Sequence, residues 1–86
     1  MVELMKDYNG MIEKEDNLYK GIQVCEECTD NILDYIAEKA DSLHILTAEA
    51  ILSAIHVIMK DLQTELLHLR IEKNILSREI SRLREM

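Results

Sequence analysis

The chain has 86 residues and a net charge of −7; 48% of it is hydrophobic, with no Pro, two Gly, and three Tyr as the only aromatics. A chain this short forms one domain, and an aliphatic composition without proline favours helices packed on one another over sheets. Excess acid argues against direct nucleic-acid binding, and no stretch approaches the roughly 18 uncharged residues of a membrane span.

The first ten residues, "MVELMKDYNG", carry acids and no apolar run, unlike a secretory leader. A cytoplasmic protein with reduced thiols is therefore expected. Asn9 and Gly10 both tolerate a left-handed backbone, which predicts the end of a short leading helix over about 2–9. Equally, residues 1–9 can join the first long helix. That helix is expected over about 11–41, along a stripe that starts upstream: Met1, Leu4, Tyr8, Met11, Glu15, Leu18, Ile22, Cys25, Thr29, Ile32, Ile36, Lys39, Leu43. Steps alternating three and four hold these residues on one helical face. Gly21 weakens the helix by about 1 kcal/mol without ending it. The segment "ADSLHILT" (40–47) is the expected turn, with Asp41, Ser42 and Thr47 as alternative caps. A second long helix is expected over about 47–85, along the stripe Ile45, Ala48, Leu52, Ile55, Met59, Leu62, Leu66, Leu69, Lys73, Leu76, Ile80, Leu83.

The expected fold is all-α: one domain, a long antiparallel hairpin with coiled-coil-like heptads that dimerises into a four-helix bundle. Residues whose numbers add to about 88 then lie level, to within a helical turn. This sets Glu15 opposite Lys73, each an interruption of its stripe, and Lys39 near Glu49. A rival pattern places Lys73 inside a parallel coiled coil, with Glu65 to Arg70 and Glu79 to Arg84 at the five-residue spacing of interchain pairs.

Cys25 and Cys28 form a C-x-x-C, half of a zinc site, and no second pair accompanies them. Glu26 and Glu27 between them disfavour a thiolate, so both thiols are read as small apolar packing groups. Glu65 and His68 match the Glu-x-x-His spacing of di-iron bundles, yet flank the stripe and read as solvated helix residues. No catalytic residue, metal or cofactor is expected, and the chain is read as not an enzyme.

Two surfaces remain. Glu26, Asp30, Asp34 and Glu38, spaced by four, with Glu27 and Asp41 alongside, make an acidic ridge suited to a partner with a basic surface. Residues 1–43 hold four Lys against eleven acids, whereas residues 44–86 balance six against six. Leu67, Ile71 and Ile75 give the second helix another apolar side, and Ile51 and Ile58 widen its stripe. A helix apolar on two sides has two partners, and a homodimer is the expected second one. These surfaces fit a small intracellular regulator or adaptor that binds a macromolecule as a helical homodimer. The alternative is an acidic nucleic-acid mimic that inhibits a nucleic-acid-binding protein, such as an anti-CRISPR or anti-restriction protein.

Overall fold

The computed structural model describes residues 2–85, which form two helices, α1 (Val2–Glu38) and α2 (Ile45–Glu85). They pack against each other as an antiparallel hairpin measuring 68 × 15 × 15 Å. Met1, the first position of the expected stripe, lies outside the described residues.

α1 runs unbroken through Asn9 and Gly10, so the leading helix over 2–9 and the helix from 11 are one element. No residue in the described chain takes a positive φ, glycines included. Tolerance of a left-handed backbone is not a demand for it. Leu4, Tyr8 and Met11 continue one partly buried stripe across the dipeptide, and packing along that face outweighs the roughly 1 kcal/mol cost of a helical glycine.

α1 ends at Glu38, short of the expected 41. The Lys39 N–H still reaches the Tyr35 carbonyl at 3.0 Å, but the Ser42 N–H bonds the Lys39 carbonyl at 2.9 Å. That bond spans three residues where a helix spans four, which tightens the chain into the turn. α2 starts at Ile45, two residues before the expected position, because its cap is His44. The His44 carbonyl accepts the Ala48 N–H at 3.1 Å, and its Nδ1 accepts the Thr47 N–H at 3.2 Å. The Thr47 hydroxyl lies 2.7 Å from the same nitrogen. This cap requires the tautomer that leaves Nδ1 free of hydrogen. Asp41, Ser42 and Thr47 do not cap α2: Thr47 is the third helical residue, whose N–H the cap satisfies.

The two stripes form the seam. Cys25, Ala48, Leu66, Leu69, Leu76 and Ile80 are buried, while Leu18, Ile22, Ile32, Leu52, Ile55 and Leu62 are half-buried. Thr29, the polar member, donates its hydroxyl to the Cys25 carbonyl at 2.8 Å. Gly21 sits where α2 comes close: a Cβ there would stand 3.2 Å from a Leu62 methyl. No large side chain among the described residues is fully buried. Two helices make one line of contact, so each core residue is covered from one side only.

Glu15 and Lys73 meet as expected. The Lys73 ammonium donates to both Glu15 carboxylate oxygens, at 3.0 and 3.1 Å. The Arg70 Nε lies 4.0 Å from the same carboxylate, and its guanidinium is 5.2 Å from the centre of the Tyr19 ring. Lys39 and Glu49 form no such pair; both are exposed beside the turn, where solvent screens them, although Ala48 next to Glu49 is buried in the seam. The hairpin also occupies the face that a parallel coiled coil would need, since Leu66, Leu69, Leu76 and Ile80 are buried against α1.

Candidate functional site: two outward faces

Heptad geometry divides the remaining surface. Three positions of every seven on each helix point away from the partner helix, and the positions beside the seam form two flanks. Lys14, Glu65 and Glu72 line one groove with His68, which identifies one flank; Tyr19, Gln63 and Arg70 line a groove on the other.

The outward side of α1 is acidic. Glu3, Glu13, Asp16, Glu27, Asp30, Asp34 and Glu38 are exposed there, with Asp41 beyond them in the turn, against Lys6 and Lys20. All six residues of the expected ridge (Glu26, Glu27, Asp30, Asp34, Glu38, Asp41) are exposed, but they do not lie in one straight row. Each four-residue step advances about 40° around the helix, so Glu26 and Glu38 point about 120° apart. Glu26 stands in the groove with Gln23, Tyr19 and Arg70, and Glu27 accepts a hydrogen bond from the Gln23 amide at 3.1 Å. The ridge is a spiral of negative charge that begins on a flank and winds over the back of α1.

The outward side of α2 is different in kind. Leu46, Val57, Leu67, Ile71 and Ile75 are each at least half exposed, and Ala50 and Ala54 are also exposed among them. Between residues 46 and 75 this side holds two ionised side chains, Lys60 and Asp61. Of the five interface residues expected from the sequence, Ile71 and Ile75 belong here, and so does Leu67, at the edge where it also lines the groove with Tyr19 and Arg70. Ile51 and Ile58, 45% and 54% exposed, sit fourteen and seven residues before Glu65 and hence on its flank. There they lie level with Tyr35 and Cys28 of α1. The expected strip is therefore two patches: the back of α2, and the turn-proximal part of one flank. Leu46 and Val57 belong to the first patch and were missed, although a search at helical spacing outward from Ile71 reaches both.

The two cysteines part company. Cys25 is buried in the seam, as expected of a packing group, but Cys28 is exposed because three residues carry it about 60° around the helix. Both are free thiols. Glu65 and His68 are exposed and line an open groove of about 420 Å³ together with Lys14, Asn17 and Glu72. A lysine ammonium in that groove opposes a cation there. Among the described residues, no three His, Cys, Asp or Glu side chains converge as a metal site. No helix of the described chain is long and apolar enough to cross a membrane.

Overall shape bears on how these faces are used. The accessible surface is 6768 Å², whereas a globular monomer of 10.0 kDa exposes about 5200 Å². The radius of gyration, 19.4 Å, likewise exceeds the roughly 12 Å of a compact 86-residue domain. An excess of about 1500 Å² per chain is about twice the roughly 800 Å² that each partner buries in a standard protein–protein interface. Compared with models of protein families, with curated proteins and with solved structures, the chain finds no match.

Proposed function

We propose that this protein is a small intracellular interaction module, a regulator or adaptor that acts by binding and not by catalysis. It works as a helical homodimer held together through the apolar side of α2, and it presents the acidic side of α1 to a second protein with a basic surface. The observation that carries this reading is the division of the hairpin into two unlike backs, acidic on α1 and, between residues 46 and 75, almost uncharged on α2, whose last turns carry Arg78, Arg82 and Glu85. An exposed run of large aliphatic side chains on a slender molecule marks an association surface, and a symmetric self-contact is the commonest way to cover one. Burial on α2 also supplies what the seam lacks, since a single line of helix contact gives a chain this short little core.

A sedimentation or light-scattering mass on Ile71→Asp/Ile75→Asp tests the reading. The parent chain should have twice the monomer mass and the variant should fall to the monomer; an unchanged dimer would refute the role of α2.

The spiral of exposed acids also favours a second reading, a nucleic-acid mimic that occupies the basic cleft of a nucleic-acid-binding protein. The two diverge in competition. A mimic is displaced from its target by DNA or RNA, whereas an adaptor that meets a basic surface outside a nucleic-acid cleft is not; rising salt weakens both.

A further inference from the structure

The back of α2 carries more information than its hydrophobicity. From Leu46 to Ile75, a line drawn straight along the outer side of the helix passes Ala50, Ala54, Val57, Asp61, Thr64, His68 and Ile71. Its mean step is about 3.6 residues, the pitch of an unsupercoiled α-helix, so the line stays on one side for about 44 Å. The strip is uneven along its length. After Leu46 at the turn end its apolar members are small, Ala50 and Ala54; toward the C-terminus they are large, Leu67, Ile71 and Ile75. Its two charges, Lys60 and Asp61, stand together at the middle.

We propose that two copies of this chain pair through these strips in antiparallel fashion, about a two-fold axis passing between Lys60 and Asp61. This rests on the homodimer reading above and adds its geometry. Rotation about that axis sets Lys60 of each copy against Asp61 of the other, so the only two ionised groups of the strip neutralise each other twice. The same rotation sets Ala50 opposite Ile71 and Ala54 opposite Leu67 of the second copy, small against large, with Leu46 meeting Ile75 at the ends. A parallel pairing does the reverse. It puts lysine beside lysine and aspartate beside aspartate, and stacks alanines on alanines with a gap between the helices.

Charge on the rest of the molecule favours the same arrangement. The whole excess of −7 lies in residues 1–43, and residues 44–86 are neutral. Pairing back to back on α2 gives a row of four helices, α1–α2–α2–α1, with both acidic α1 helices at the outer edges, as far apart as two hairpins allow. A strip about 44 Å long and one helix wide is of the scale of the roughly 800 Å² per partner that specific pairs bury. The expected four-helix assembly thus takes the form of a row and not a square bundle.

Charge swaps and crosslinking test the axis. Lys60→Asp and Asp61→Lys, each alone, should weaken the dimer by about tenfold or more, because each sets like charges together twice. The double swap, Lys60→Asp with Asp61→Lys, restores opposite pairs and should recover the parent affinity. In a Cys28→Ser background, Ala54→Cys mixed with Leu67→Cys should crosslink efficiently with a short bismaleimide. Ala54→Cys alone should not, since its two copies then lie about 20 Å apart along the paired helices. Efficient crosslinking of Ala54→Cys to itself, in a protein that remains dimeric, would overturn the antiparallel axis and leave the homodimer standing. A monomeric parent chain would overturn both.

Discussion

Replacing Lys73 by Met strips the Glu15 carboxylate of both its short hydrogen bonds and leaves it the Arg70 Nε at 4.0 Å. The side chains of Glu15 and Lys73 are 18% and 22% exposed, so the pair lies between the two regimes known for ion pairs. Losing one partner of a fully buried pair costs about 3–5 kcal/mol, whereas exposed pairs contribute about 0–1 kcal/mol. One-fifth exposure places Lys73→Met at about 2 kcal/mol of destabilisation. Glu15→Met should cost less, about 1 kcal/mol, because a lysine left alone can extend its flexible stem toward water. The double variant removes both charges and fills the seam with apolar volume, so it should return to within about 1 kcal/mol of the parent or exceed it.

The assay is urea unfolding of the four proteins at one fixed protein concentration, since self-association makes stability concentration-dependent. A coupling energy of about 2 kcal/mol is expected, and Lys73→Met should lower the melting temperature by about 8–16 °C in a domain of this size. Additivity to within about 0.5 kcal/mol, the limit for independent sites, would refute the claim that this pair is a coupled element of the seam. The double variant carries a second expectation: with no polar layer to fix the register, its two helices should be less uniquely aligned, visible as broadened amide resonances.

Other consequences concern the helices themselves. His44→Ala removes the nitrogen that accepts the Thr47 N–H and should destabilise the hairpin by about 1 kcal/mol, while His44→Asn, an ordinary cap, should retain stability. Gly10→Ala should stabilise by about 0.5–1 kcal/mol, because a Cβ there meets nothing within 4 Å. Gly21→Ala should gain less than Gly10→Ala in the same urea titration, since its Cβ stands 3.2 Å from Leu62. Reversing the charge of Asp30, Asp34 and Glu38 together should leave the solution mass unchanged and abolish binding to a basic partner; retained binding would remove the acidic ridge from the account.

Much of the hairpin was legible because its pattern is strict. Stripe positions between Leu4 and Ile36 in α1, and between Ala48 and Ile80 in α2, are buried or half-buried, including the charged interruptions Glu15 and Lys73. Opposite charges placed level by simple counting did meet, since the seam is continuous there. Lys39 and Glu49 were counted in the same way and do not meet, because both are exposed at the last level of the seam, where solvent screens them.

Local signals misled in two places. Asn9-Gly10 permits a break but the flanking apolar face forbids one, and no table of capping residues points to His44, whose ring nitrogen does what a Ser or Asp oxygen usually does. The cysteines and the ridge show a third source of error, since spacing in sequence was read as a shared face. Three residues turn Cys28 out of the seam that holds Cys25, and repeated steps of four wind the acids around α1. The apolar back of α2 was half found, since Leu67, Ile71 and Ile75 form an obvious run while Leu46 and Val57 stand alone among polar neighbours.

The central claim, that this hairpin functions as a homodimer through α2, is tested most directly by its mass in solution, measured by light scattering at low and at high salt. The account predicts twice the 10.0 kDa of the single chain at both, because the contact is mainly apolar and screening leaves it intact. A monomer at both salts, across the micromolar range, would contradict it and leave the back of α2 for a different protein to cover.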